Sequence, residues 1–211
     1  MCIFVAPAYN CLLAQGETDL SSTSSPDPVV LIVDDEETVA DTYALRLQSR
    51  YETRTAYGGK AALDVIDERV DAVLLDRRMP DIHGDDVLAE IREAGYDCKV
   101  IMATAVDPDL NILEMDFDDY LCKPIFQETL IETLEKHLDD VDDENAELDE
   151  FFSIVSKLSV LEEEKTRAEL EESDEYERLK ARADDLGKEL RGTVEDFDDI
   201  LDTYRDINRG S

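Results

Sequence analysis

The sequence has few basic residues. Among 211 residues there are 21 lysines and arginines against 55 aspartates and glutamates, which gives a formal net charge of −34 at pH 7. Because phosphate backbones are bound by clustered basic side chains, this balance excludes general binding of nucleic acid through bulk charge. The acidity is spread over the whole chain rather than confined to one tail, which is typical of a halophilic protein that stays solvated in high salt.

Residue types that form crosslinks or bind soft metals are also scarce. The two histidines, His83 and His137, have no cysteine or carboxylate motif around them, so no ligand role is expected for either. Scattered cysteines without a CxxC spacing predict reduced thiols and a cytoplasmic location, not a disulfide framework or a zinc site. The cysteines are Cys2, Cys11, Cys98 and Cys122.

Long apolar runs are absent. A transmembrane helix needs about 18 consecutive apolar residues, and no run approaches that length. The apolar stretch Cys2–Ala14 is interrupted by Pro7 and Asn10 and follows no basic segment, so a signal peptide is not expected. Together with the Ser-, Asp- and Pro-rich residues that follow it, it predicts a disordered lead-in over residues 1–28, with an over-long translation start as the alternative.

Four short apolar runs end in polar residues. Continuous apolar runs are typical of parallel strands that are buried on both faces. The runs are Val29–Val33, followed by Asp34 and Asp35; Ala72–Leu75, followed by Asp76; Lys99–Ala103, followed by Thr104; and Asp119–Leu121, closely followed by Lys123. Because open α/β sheets bind ligands at the carboxyl ends of their strands, we expect these polar side chains to meet at one edge.

Segments with apolar residues at helical spacing separate these runs, and Glu52–Ala56 supplies a modest further strand. The predicted helices are Glu36–Gln48, Ala61–Ile66, Val87–Ile91, a short fourth helix from Asp107 to Met115, and Gln127–Leu138. Five alternations of strand and helix predict an α/β domain over residues 29–138, built on a doubly wound parallel sheet with right-handed crossovers.

The pattern changes after residue 138. An acidic segment, residues 139–147, is predicted to be a linker, and residues 148–209 contain no strand-like run. Their apolar residues recur at three and four, including Tyr176, Leu179, Leu186 and Leu190. This predicts an all-α helical hairpin, or a long bent coiled-coil-like helix, with its turn near Glu171–Asp174. Because two narrow apolar stripes bury little surface alone, we expect this module to pack on itself as a homodimer.

The ordered polar residues resemble the receiver domain of two-component response regulators over residues 29–138. The resemblance implies a flavodoxin-like sheet of order 2-1-3-4-5. It also implies that Asp76 is the phosphoacceptor of a sensor histidine kinase. Such a protein is a switch rather than an enzyme, limited to self-phosphorylation from small donors and autodephosphorylation.

Three carboxylates in one crevice repel, by roughly 4 kcal/mol for two unit charges about 4 Å apart, so they need cations. Mg²⁺, which prefers oxygen ligands, fits this requirement. By the resemblance, Asp35, Asp76 and the backbone carbonyl of Arg78 bind the metal, and Asp34 acts through metal-bound water.

The resemblance assigns the remaining site residues as well. Lys123 and Thr104 are implied to bind the phosphoryl group, and Tyr120 is the implied switch aromatic. Pro124 is implied to follow a cis peptide bond that aims Lys123, although a cis X-Pro bond is not automatic.

The C-terminal module resembles the HalX domain of haloarchaeal response regulators, chiefly over Glu169–Leu179. Its partner is left open. Transcriptional output through DNA or the transcription machinery is one alternative, but residues 147–211 hold 21 acids and 10 bases, a poor footprint for DNA. An aspartate-nucleophile phosphohydrolase is another alternative. It needs a second aspartate two residues after the nucleophile, and here that position is Arg78.

Overall fold

The computed structural model describes residues 27–105, 108–138, 146–194, 197, 198 and 201. Within this part of the chain a five-stranded parallel sheet has the order β2-β1-β3-β4-β5. Its strands are β1 (Val29–Val33), β2 (Glu52–Ala56), β3 (Ala72–Leu75), β4 (Lys99–Thr104) and β5 (Asp119–Cys122). The predicted fold class and strand order are confirmed.

Helices cover both faces of the sheet. The helices that follow the strands are α1 (Glu37–Leu47), α2 (Gly59–Val65), α3 (Gly84–Glu93) and α4 (Gln127–Leu138). α1 and α4 share one buried cluster with Leu74 and Ile101, whereas α2 and α3 pack into a second cluster with Val73 and Met102. The side chains of β1 and β3 are buried along their whole length, as the continuous apolar runs predict.

The predicted fourth helix is shorter than expected. Between β4 and β5 the described residues form a 3-10 helix, Leu110–Glu114, whose start is capped by the Asp109 carboxylate accepting from the backbone N–H of Asn111 at 3.1 Å. It buries Ile112 and Leu113, but a single turn covers little of the sheet beside β5. The rest of this face is covered by the C-terminal module.

The module is a helical hairpin, as the periodicity predicts. It comprises α5 (Ala146–Glu164), the short α6 (Arg167–Glu171) in the connection, and α7 (Asp174–Thr193). α7 runs antiparallel to α5, because Arg182 pairs with Glu150 near the start of α5 and the Tyr176 hydroxyl donates to Glu162 near its end. A capping box at Thr166 begins α6, and the Ser173 hydroxyl caps α7.

α5 lies directly on the receiver. It packs against β5 and the 3-10 helix, and its buried residues belong to the same core cluster as those of β3 and β4. The Ser153 hydroxyl donates to the carbonyl of Phe117 at 2.7 Å, and the ammonium of Lys157 lies 5.0 Å from the centre of the Phe117 ring. The helix therefore occupies the space that the shortened fourth helix leaves open.

This packing bears on the expected homodimer. The described heptad residues Tyr176, Leu186 and Leu190 are 3%, 0% and 0% exposed within a single chain, while Leu179 is partly buried against the same core. The apolar stripes predicted from the sequence are thus covered by α5 and α7 of one chain. Residues 1–26 of the predicted lead-in, residues 139–145 of the predicted linker and residues 202–209 of the predicted module lie outside the described residues.

Candidate functional site

The predicted polar residues meet at the carboxyl edge of the sheet. Asp34 follows β1, Asp76 follows β3, Thr104 ends β4, and Lys123 follows β5. Asp34, Asp76 and Thr104 are 3%, 7% and 0% exposed. The structure therefore brings together side chains that are up to 89 positions apart in the sequence.

Lys123 lies between the two buried carboxylates. Its ammonium donates to Asp34 Oδ2 at 2.5 Å and to Asp76 Oδ1 at 2.7 Å. Burial opposes the charge on Lys123, but these hydrogen bonds outweigh it and raise the pKa of the amine. The backbone N–H of Lys123 donates to the carbonyl of Thr104 at 2.8 Å, and the Lys123–Pro124 peptide bond is cis, the isomer that the resemblance implies.

The turn after β3 fixes the Asp76 side chain. The backbone N–H of Arg78 donates to Asp76 Oδ2 at 2.8 Å, which leaves Oδ1 to Lys123. Burial raises the pKa of the Asp76 carboxyl, while Lys123 opposes that shift. Gly84, at the start of α3, is packed against the backbone here, because a Cβ at that position would lie 2.3 Å from the Asp76 carbonyl oxygen.

The two acids after β1 have different surroundings. Asp34 is buried and accepts from the backbone N–H of Glu36 at 2.9 Å, whereas Asp35 is exposed. Among the described residues no group of three acidic, histidine or cysteine side chains forms a ready metal cluster. The carboxylate oxygens present still suit Mg²⁺, which binds proteins through one or two carboxylates and keeps several waters.

Arg77 is a site residue whose role the sequence did not indicate. Although it follows Asp76 directly, it is only 6% exposed. Its Nε and Nη2 donate to the two oxygens of Asp85 at 2.9 and 3.1 Å, and Nη2 also reaches Asp109 Oδ1 at 3.3 Å. Burial of the nearby Tyr120 phenol raises its pKa to about 12, and the charge of Arg77 opposes that shift.

A second buried polar cluster surrounds Asp119, the residue before Tyr120. Its carboxylate accepts from Lys136 at 2.6 Å and from the Ser156 hydroxyl of α5 at 2.5 Å. His137 Nε2 lies 3.0 Å from the same carboxylate, a partner that the sequence around His137 does not indicate. Burial opposes the charge on Asp119, but Lys136 and His137 outweigh it and hold the pKa of this carboxyl well below its usual value.

The sequence carried only weak signals for these two clusters. An arginine beside the candidate phosphoacceptor is notable, but turn arginines are usually solvated. Nothing in the spacing of Asp119, Lys136 and Ser156 links β5 with two different helices. No helix in the described part of the chain is long and apolar enough to cross a membrane.

Comparison with known proteins agrees with this geometry. The profile of the response regulator receiver domain matches residues 30–135, and the profile of the HalX domain matches residues 140–207. A protein of Haloferax volcanii is 41% identical over 197 residues, which cover 90% of this chain. Its name describes it as a candidate transcriptional regulator. The match spans only 34% of that relative, so the chain has about a third of its length.

A solved receiver structure shares the fold of the sheet domain. A response regulator receiver domain protein from Methanospirillum hungatei is 27% identical, with a TM-score of 0.50, and the match covers 53% of this chain and 94% of that one. The response regulator TrrA from Thermotoga maritima, in complex with Mg²⁺-BeF, is 34% identical with a TM-score of 0.46, over 53% of this chain and 99% of that one. The chain belongs to the response regulator receiver family, and a HalX domain follows its receiver domain.

Proposed function

We propose that this protein is the phosphoacceptor of a two-component phosphorelay and that Asp76 receives the phosphoryl group from a histidine kinase. The observation that carries the proposal is the Lys123 ammonium, held between Asp34 and Asp76 at the carboxyl edge of the sheet. In the described part of the chain Cys98 and Cys122 form no disulfide, which suits the cytoplasmic location that belongs to this proposal.

The proposed transfer is a displacement at phosphorus. A carboxylate oxygen of Asp76 forms a bond to phosphorus while the bond between phosphorus and the imidazole nitrogen of the kinase breaks, and the electron pair leaves with the imidazole. The product is an acyl phosphate on Asp76. Such transfers depend mainly on positioning and on neutralising the phosphoryl oxygens. The position of Lys123 and Thr104 at this edge supports that role for their side chains in the proposal.

The proposal includes Mg²⁺ as the cofactor. Asp35, Asp76 and the backbone carbonyl of Arg78 would hold the ion, with Asp34 acting through a bound water. When bound, the ion supplies a further positive charge against the phosphoryl oxygens. Lys123 neutralises part of the negative charge of Asp34 and Asp76, and a bound cation would neutralise the remainder.

Phosphorylation can be tested directly by intact mass. The full chain is treated with a small acyl phosphate and Mg²⁺ in molar salt, and one added phosphoryl group is expected. Asp76→Ala should abolish the addition, whereas the control Asp64→Ala, at an exposed position of α2, should retain it. Full labelling of Asp76→Ala would show that another residue is the acceptor.

Metal binding is tested by titration of Mg²⁺ into the wild type and Asp35→Asn. Weaker binding is expected for the variant, because it removes one charged oxygen ligand. Asp64→Asn is the matched control. Equal affinity in wild type and Asp35→Asn would remove Asp35 from the proposed site.

The output of the switch lies in the HalX domain. The packing of α5 on β5 and the 3-10 helix supports a direct effect of receiver state on this module, because Asp119 of β5 contacts Ser156 of α5. A ligand shifts such an equilibrium only by its differential affinity for the two states. Regulation of transcription is the candidate output that the name of the Haloferax volcanii relative favours.

Self-association through the C-terminal helices is the second candidate for the output. Since Leu186 and Leu190 are already buried within one chain, a dimer through these positions requires the packing of α7 against α5 to open. Sedimentation of the wild type in molar salt, with and without a phosphoryl analogue, separates the two outputs. Dimerisation only with the analogue would support this second candidate.

A further inference from the structure

Arg77 connects three elements around the phosphorylation site. Its guanidinium forms a two-point contact with Asp85 at the start of α3, reaches Asp109 before the 3-10 helix, and acts electrostatically on Tyr120 of β5. Arginine suits this arrangement because its planar fork holds several acceptors at fixed angles. A lysine could not hold both oxygens of Asp85 in the same way.

The burial of Arg77 indicates more than a surface ion pair. The side chain is 8% exposed, whereas Asp85 and Asp109 are 41% and 49% exposed. The positive charge is thus buried while its acidic partners reach solvent. Removing the guanidinium would release the acidic start of α3 and the acidic residue before the 3-10 helix from a common centre.

The contact between Arg77 and Asp109 lies next to the 3-10 helix on which the C-terminal module packs. The 3-10 helix Leu110–Glu114 begins directly after Asp109, and both α5 and α7 pack against that helix. Arg77 follows the phosphoacceptor in the chain, so a backbone movement at Asp76 displaces it directly. The path from the acceptor to the C-terminal module therefore contains one side chain and one helical turn.

We propose that Arg77 is a positioning residue that couples the 3-10 helix, and through it the docked C-terminal helices, to the state of Asp76. The inference rests on the proposed phosphoacceptor function and identifies the contact through which that site acts on the module. Phosphorylation of Asp76 is expected to alter the Arg77–Asp109 ion pair, which at 3.3 Å is longer than the Arg77–Asp85 ion pair at 2.9 Å, and to change the docking of α5 and α7.

Hydrogen exchange of the full chain, with Mg²⁺ and beryllofluoride as the phosphoryl analogue, tests this coupling. In the wild type the analogue is expected to change exchange rates in residues 110–114 and in α5 by at least about fivefold, the lower range of measured couplings between sites. In Arg77→Met the analogue should still bind at Asp76, but the change in α5 should disappear. Arg69→Met, which replaces a 73% exposed arginine paired with Asp67, is the control and should respond like the wild type.

Two milder variants keep the test decisive if Arg77→Met fails to fold. Asp109→Asn removes the charge that faces Arg77 but retains an oxygen to cap Asn111, so it should reproduce the lost response. Asp85→Asn weakens only the link to α3, and the response of α5 should persist.

The outcomes separate the inference from the function on which it rests. Binding of the analogue with a wild-type response of α5 in both Arg77→Met and Asp109→Asn would overturn the role of Arg77 while leaving the phosphoacceptor function intact. Absence of analogue binding in the wild type would instead refute the proposed function, and the inference with it.

Discussion

Replacing Asp119 by alanine should destabilise the protein at the junction of receiver and C-terminal module. The carboxylate is 1% exposed and is the partner of Lys136, whose side chain is 11% exposed, and of the Ser156 hydroxyl. Removing one member of a buried ion pair leaves an uncompensated charge, which costs about 3–5 kcal/mol. That is a large part of the roughly 5–15 kcal/mol by which domains are stable.

The assay is urea unfolding of the full chain at fixed salt. Asp119→Ala is compared with Lys136→Met and with the double variant, and a coupling energy of about 2 kcal/mol is expected because the double variant leaves no unpaired charge. Asp149→Ala is the matched control. It breaks the surface pair with Lys99, where Asp149 is 61% exposed, and should cost no more than about 1 kcal/mol.

Two results would refute this reasoning. A loss below about 1 kcal/mol for Asp119→Ala would mean that water or another group replaces the carboxylate. Additivity of the two single variants would mean that Asp119 and Lys136 do not depend on each other.

Four further variants test the packing of the fold and its dependence on pH. Gly84→Ala should destabilise the fold by about 1–3 kcal/mol and impair phosphorylation, because the added Cβ would meet the Asp76 backbone. Gly192→Ala should instead stabilise α7 by up to about 1 kcal/mol in the same denaturation assay, because nothing lies within 4 Å of the added Cβ. Leu186→Glu places a charge at a 0% exposed position and should cost more than about 3 kcal/mol; a dissociated dimer with unchanged unfolding free energy would contradict the packing within one chain. Asp119→Asn should weaken the acid sensitivity of folding. The pKa of Asp119 is lower in the folded chain than in the unfolded chain, so its stabilisation is present above about pH 4 and is lost as pH falls. Acid unfolding curves of equal slope for wild type and variant would show that Asp119 does not cause the loss of stability at low pH.

The sheet and its polar edge were predictable because both follow from local pattern. Val29–Val33 and Ala72–Leu75 are short, fully apolar and bounded by acids, so the sequence itself marks them as buried strands. Once strands are parallel, their carboxyl ends must share an edge. The convergence of Asp76 and Lys123 therefore required no knowledge of loop conformation.

The length of the fourth helix depended on the tertiary structure. Its segment has the apolar residues for a helix, but only one 3-10 turn forms, and α5 covers the remaining surface. The apolar stripes of the module were likewise visible in the sequence. Periodicity shows that such a stripe must be covered, but it does not identify the covering surface, and here that surface belongs to the same chain.

The sequence by itself determined the strand order of the sheet domain, through its family resemblance, and the residues at its carboxyl edge. The tertiary structure alone decided the partners of Arg77 and Asp119. The side chains around Asp119 come from β5, α4 and α5 and are separated by 17 and 37 positions, so no local period links them. A buried charge is stable only where oppositely charged or hydrogen-bonding side chains contact it, and those contacts depend on how the helices dock on the sheet.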